Sequence, residues 1–277
     1  MSAEQITTFR TQSIHDSACI CLMSADVEEK IFLTRTLNEL FQKSNLIIES
    51  DQPAHIIPVP GRPEHPRLVS PRDLSKRSMR DEKGRAALVH SIAHIEFNAI
   101  NLALDVVYRF RGQPRTFYAD WLQVAQEEAY HFGLLENHLN KLGYAYGDFN
   151  GHNGLWEMAV ETDYDVLVRM ALVPRVMEAR GLDVTPGIIA KFKQVGDQDM
   201  MEILSIIQQD EVGHVETGTR WYRYFCEQRA WPPLETFKKL IEKHMSGGVR
   251  GPYDYLRRKQ AGFTDDELEY LEQAGAR

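Results

Sequence analysis

A chain of 277 residues that is 43% hydrophobic and 26% charged can bury a substantial core, and its formal net charge of −8 argues against a surface that attracts nucleic acid or anionic membrane as a whole. No signal-peptide pattern opens it and no apolar run approaches the roughly 20 residues of a spanning helix, so a cytoplasmic protein without a membrane partner is expected. Cys19, Cys21 and Cys226, odd in number and without zinc-site spacing, read as reduced thiols.

In chain order, residues 25–42 form an amphipathic helix with Val27, Ile31, Leu33, Leu37, Leu40 and Phe41 as its apolar set. Residues 51–75 contain Pro53, Pro58, Pro60, Pro63, Pro66 and Pro71, half of the 12 prolines. That density predicts an extended arm laid across the downstream part of the chain, since proline removes donors that helix and interior strand need. Long helical patterns come next. The first runs from about 85 to 111 and stops at Gly112; the second starts at Pro114, a favoured first-turn residue, and ends near Gly143. So short a link makes them antiparallel neighbours. After a Gly-, Asn- and Asp-rich connector over about 143–154, the third spans about 155–180, bent at Pro174 and ended by Gly181, with a break over 181–186. A short helix then leads to Gly196, and the fourth covers about 197–229. The tail opens with Pro232-Pro233 and holds two short helices separated by Gly247-Gly248. The last of these begins with Thr264-Asp-Asp-Glu267, the form of a capping box. The expected class is all-α, a four-helix bundle over 83–230. A helix and proline-rich arm precede it at 1–82, and a helical tail completes the chain at 231–277.

Side chains on one helix face recur at steps of three and four. The first long helix carries Val89, Ile92, Ala93, Glu96, Ala99, Ile100, Ala103, Val107 and Phe110 on one stripe, and Glu96 is its only polar member. On the second, Trp121, Val124, Ala125, Phe132, Leu135 and Leu139 share a stripe with Glu128 and His131. The fourth repeats the pattern, with Glu211 and His214 among Met200, Leu204, Ile207, Val215, Gly218, Tyr222 and Phe225. Carboxylates buried in such surroundings take up a proton unless they hold a cation or find hydrogen-bonded partners. On the third helix Glu178 is the choice, on a stripe with Tyr164, Leu167, Val168 and Ala171; Glu161 and Glu157 are rivals. Glu96 and Glu128 are 32 residues apart, Glu178 and Glu211 33, as in two copies of one hairpin.

One Glu from each of two helices and Glu-x-x-His from each of two others is the ligand set of a dinuclear carboxylate site. Hard carboxylates bridge two cations and each imidazole adds a nitrogen suited to iron. A single Glu-x-x-His arises by chance about once in such a chain, but two on apolar stripes with matched partners are harder to produce so. The competing reading is a bundle whose buried Glu and His satisfy one another. His90 and His94 lie off the Glu96 stripe and read as surface or packing residues, His138 as a boundary residue, Trp121 and Tyr130 as packing, and Glu127 and Asp210 as solvated or supporting neighbours.

The pieces PGRPEHP, GRAALVHSIAHIEFNAINLALD, EEAYHF, VPRVMEARGLDVTP and DEVGHV, in that order, resemble the domain-of-unknown-function 455 family of ferritin-like proteins over about residues 28–265. The resemblance implies a ferritin-like bundle and a di-iron or dimanganese centre, with Glu96, Glu128, His131, Glu178, Glu211 and His214 in the matching positions. Glu178-Ala-Arg and the later Glu-x-x-His are also similar to the ferritin-like tRNA hydroxylase that acts on the isopentenyl group of a modified adenosine. This chain departs from that enzyme in its arm and tail.

The expected function is that of a redox enzyme. Two metal ions, iron first and manganese second, would activate oxygen or peroxide to hydroxylate or desaturate a small-molecule or modified-nucleoside substrate. The metal ligands would be its only catalytic groups, and it would need an electron donor. One alternative is oxidation of ferrous iron for storage, which demands a large shell, whereas the arm and tail suit a small oligomer such as a homodimer. The other is nucleic-acid modification or binding, for which Arg62, Arg67, Arg72, Lys76, Arg77, Arg80, Lys83 and Arg85 would face phosphates.

Overall fold

The computed structural model describes residues 9–43, 46–50, 52–245 and 249–275. Among them there are eleven α-helices and no strand, only isolated bridges pairing Ser13 with Ile47 and Leu68 with Gly151. No described helix is long and apolar enough to cross a membrane. The chain divides into two compact units, residues 1–160 and 161–277.

The first unit is built on α1 (Ile14–Met23), α2 (Val27–Lys43), α3 (Glu82–Arg109) and α4 (Arg115–Lys141), with α5 (Gly154–Glu161) after a connector. Asp81 starts α3 by accepting from Gly84 N at 2.7 Å, which satisfies one of the donors a helix start leaves open. The α3–α4 turn contains Gly112 at φ 73°, a conformation that glycine adopts without strain. Tyr118 closes the turn, its hydroxyl accepting from Gln113 N at 2.9 Å and donating to Phe110 O at 3.0 Å.

Helix α3 packs on α4 and α1, and α2 packs on α4. Apolar burial therefore extends beyond the Glu96 stripe, and Leu88, Phe97, Leu102 and Leu104 are buried too. Helix α1, absent from the sequence-based expectation, buries Ile14, Ala18, Cys21 and Leu22 alongside His15 and Ser17. The buried positions keep helical spacing, but apolar Ile20 and Met23 on the outer face leave the stripe little contrast to detect. The junction of α1 and α2 is tied by Lys30, whose buried ammonium donates to Cys21 O at 3.1 Å, Leu22 O at 2.6 Å and Asn101 Oδ1 at 2.7 Å. Two of these acceptors are last-turn carbonyls of α1, which a cation suits.

The proline-rich arm lies along this unit as an extended chain. Gly61 N donates to Leu22 O at 3.0 Å, Trp156 Nε1 to Pro58 O at 3.1 Å, and Val69 N to Gly151 O at 2.9 Å. His90 and His94 are buried packing residues that anchor the connector. His90 Nε2 accepts from Gly147 N at 3.0 Å, and the two nitrogens of His94 meet Tyr146 Oη at 2.8 Å and His152 O at 3.0 Å.

Burial pushes both imidazoles down to about 4, and each is held down further by a positive neighbour, His94 for His90 and His152 for His94. Their folded-state values lie below the ordinary 6.5, so the unfolded chain takes up protons first on acidification. The stability they contribute is complete above pH 6.5 and is lost as pH falls through about 4, at about 1.4 kcal/mol per pH unit per group. Urea midpoints at pH 7 and 4.5 test this: a His90→Gln/His94→Gln variant should lose less stability on acidification than the wild type. An equal loss would show that the pair does not titrate with folding.

The second unit contains α6 (Val166–Leu172), a π-helical turn (Val173–Glu178), α7 (Ala179–Gln194), α8 (Gln198–Gln228), α9 (Pro233–His244), α10 (Tyr255–Gln260) and α11 (Asp265–Gly275). The sequence placed one helix over 155–180 and a break over 181–186; both expectations fail. The interruption falls at 162–165, where Asp165 caps α6 by accepting from Leu167 N at 2.8 Å. Tyr164, assigned to the Glu178 stripe, lies before that cap and is exposed. Conversely α7 continues through Gly181 and Pro186, because Ala179, Leu182, Asp183 and Thr185 are buried as α7 packs on α8. Tertiary burial outweighs the proline penalty of about 3 kcal/mol. Pro174 does disturb the helix, as a π-helical turn. The tail has three described helices, α10 being unforeseen, and the Gly247-Gly248 separator lies outside the described residues.

Candidate metal centre

In the first unit the hairpin α3–α4 sets the site. Glu96 lies 13 residues before the last residue of α3, and Glu128 lies 13 residues after the first of α4. At about 1.5 Å per residue both carboxylates therefore reach the same depth, roughly 20 Å from the turn. His131 comes one turn after Glu128 on the same face. The three are 5%, 1% and 0% exposed, so water solvates none of them appreciably. Donor atoms from Glu96, Glu128 and His131 all lie within 4.8 Å of one another. Nδ1 of His131 is 3.4 Å from Glu96 Oε2 and 3.5 Å from Glu128 Oε2, and so faces both carboxylates.

Electrostatics reflects this crowding. Burial, and then the Glu128 charge, hold the Glu96 carboxyl well above the usual carboxylate range. Burial alone would lower His131, but the hydrogen-bonding Glu128 and Glu96 carboxylates outweigh it and push the imidazole up to about 11. Metal-free, the cluster therefore holds protons more tightly than the same groups would in water. Two oxygen donors and a nitrogen donor in a dry pocket fit a divalent first-row cation about 2.1 Å from each, whose charge would replace those protons.

In the second unit, Glu211 and His214 stand one turn apart on α8, with His214 Nδ1 3.2 Å from Glu211 Oε2. Both are buried, at 9% and 1% exposed. Glu178, also 9% exposed, ends the π-helical turn. One turn later Gly181 brings bare backbone against Glu211: a Cβ there would lie 3.6 Å from Glu211 Cγ and Oε1. The rivals are excluded by position. Glu157 is exposed on α5, and Glu161 is exposed and pairs with His244 Nδ1 at 2.7 Å. Trp121 is buried packing, Tyr130 is half exposed, and Glu127 accepts from Gln123 Nε2 at 2.8 Å rather than facing the cluster.

Sequence reasoning read Gly181 as a helix end and Gly218 as a stripe member, and missed what each packs against. A Cβ on Gly218 would lie 2.3 Å from Pro174 Cγ, so this glycine of α8 seats the proline of the π-helical turn. A small residue on an otherwise bulky stripe, one turn beyond His214, was the available signal.

A family model described as "Protein of unknown function (DUF455)" matches residues 23–269. A protein of Haemophilus influenzae described as uncharacterized is 45% identical over 261 residues, 90% of each chain. No solved structure matches the chain.

Proposed function

We propose that this chain, which belongs to the DUF455 family of proteins of unknown function, is a dinuclear metal protein with oxidoreductase activity. In this reading two donor sets, Glu96, Glu128 and His131 in the first unit and Glu178, Glu211 and His214 in the second, provide the ligands for two divalent ions, iron first and manganese second. The carrying observation is the buried convergence of Glu96, Glu128 and His131 with donor atoms within 4.8 Å. Three ionisable groups so placed cost stability without a cation, and a hydrophobic replacement would pack as well. Matched Glu-x-x-His spacing on α4 and α8 supports a second, equivalent set of ligands.

When bound, such a pair of ions supplies electrons to oxygen or peroxide for substrate hydroxylation or desaturation. The residues have narrower tasks. Glu128 and Glu211 would offset cation charge, His131 and His214 would each add a nitrogen donor, and the burial of all four keeps bulk water from competing. The test is metal analysis of freshly purified protein, followed by anaerobic reduction and oxygen exposure. About two metal equivalents per chain and an absorbance change on oxygen admission are expected. Two bound irons that remain ferrous in oxygen would remove the oxidoreductase reading, and no bound metal would remove the centre itself.

A further inference from the structure

The π-helical turn that ends at Glu178 is held by a device outside the ligand set. Pro174 contributes no N–H and its ring crowds the preceding helical carbonyl, which the wider turn accommodates. Arg175, the next residue, is wholly buried although charged. Its guanidinium lies 4.5, 4.2 and 4.6 Å from the ring centres of Tyr222, Phe237 and Phe263. Nε donates to Thr219 Oγ1 at 3.3 Å, next to the glycine that seats Pro174, and Nη2 donates to Glu267 Oε1 at 2.6 Å.

Glu267 comes from the first turn of α11 and is 2% exposed. Its other oxygen accepts from Thr264 N at 3.0 Å, while Thr264 Oγ1 accepts from Glu267 N at 3.2 Å. This is the capping box that the sequence announced, with an added task. One carboxylate starts the tail helix and neutralises the arginine of the π-helical turn.

Stability alone does not explain the pair. A buried ion pair gains little over apolar residues of equal volume, and three aromatic rings would receive such a residue readily. What the pair adds is direction. Arg175 is three residues before Glu178 in a turn that lacks regular α-helical restraint, and it is bound to α8 through Thr219 and to α11 through Glu267.

We infer that Arg175 and Glu267 are positioning residues, through which the C-terminal helix sets where the Glu178 carboxylate meets metal. The inference rests on the metal-centre reading. An Arg175→Met/Glu267→Gln variant removes both charges and keeps the packing volume and the acceptor for Thr264 N, so the metal-free protein should unfold near the wild-type temperature. Anaerobic equilibrium dialysis with Mn(II) should nevertheless show one metal equivalent bound about 10–100-fold more weakly, as for loss of a partner that orients a ligand. If the double variant does not fold, Arg175→Lys, which keeps the charge but lacks the fork that reaches Thr219 and Glu267 together, is judged by the same dialysis. Wild-type Mn(II) affinity in a folded variant would overturn the inference and leave the metal centre intact. Wild-type protein that binds no Mn(II) or Fe(II) would overturn both.

Discussion

Glu96→Gln is expected to leave the unfolding free energy of the metal-free protein within about 1 kcal/mol of the wild type, a small effect for a buried site. The same change is expected to weaken Fe(II) or Mn(II) binding beyond the roughly 100-fold upper range for outer partners. The asymmetry arises from charge. Burial and the Glu128 charge raise the Glu96 carboxyl well above the usual carboxylate range, so the fold favours its neutral form, and glutamine supplies a neutral group of the same shape. A cation needs an anionic oxygen at that position, which glutamine cannot supply. Glu128→Gln should cost more because, of the two carboxylates that hold the proton on His131, the Glu128 carboxylate contributes more. Its loss should destabilise the metal-free protein by about 1–3 kcal/mol as well as weakening the metal. Urea midpoints on metal-stripped protein and dialysis on the same preparations decide the matter. Wild-type affinity in Glu96→Gln would show that Glu96 is no ligand, and a large loss of metal-free stability would show that its carboxylate is charged in the fold.

What could be read in the sequence was whatever leaves a mark at helical spacing. The α3 and α4 boundaries fall within about three residues of expectation because Gly112, Pro114 and Gly143 punctuate them and apolar stripes run between. Glu96, Glu128 and His131 stood out as polar members of those stripes, and burial of all three bears out the stripe argument. Other features depend on partners distant in sequence. Helix α1 buries Ile14, Ser17, Ala18, Cys21 and Leu22 at helical spacing, but Ile20 and Met23 on its outer face are apolar too, so the stripe has little contrast. The residues 179–185 are held helical by α8, which local glycine and proline propensity cannot register. The opposite error occurred at Asp165, a capping residue at the end of the short polar stretch 161–165 between two apolar runs. His90 and His94 were separable from the Glu96 stripe by spacing, yet their hold on Tyr146, Gly147 and His152 needed the fold. Glu267 shows both cases at once, since its capping box is local and its bond to Arg175 spans 92 residues.

Metal binding should release protons from the Glu96, Glu128 and His131 cluster, and the His131 proton alone makes apparent affinity rise by about tenfold per pH unit near neutrality. His131 is raised to about 11 by the two carboxylates against the effect of burial, and the Glu96 carboxyl, raised by burial and the Glu128 charge, adds to the dependence. The same protons govern metal-free stability. A folded-state value above the unfolded one gives stability that is present at low pH and lost on the alkaline side. For His131 that contribution is complete below pH 6.5 and disappears as pH rises through about 11; for Glu96 it is complete below 4.5 and disappears as pH rises through its elevated folded value. Raising the pH should therefore weaken the metal-free cluster and strengthen the metal-bound one. Unfolding curves with and without Mn(II) should diverge as pH rises, with the gain reaching about 2.7 kcal/mol where free metal is 100 times its Kd. Calorimetric titration in buffers of different ionisation enthalpy counts the released protons directly. Parallel curves with no proton release would mean that the three groups form a closed ion-paired cluster, and that a cation has no claim on them.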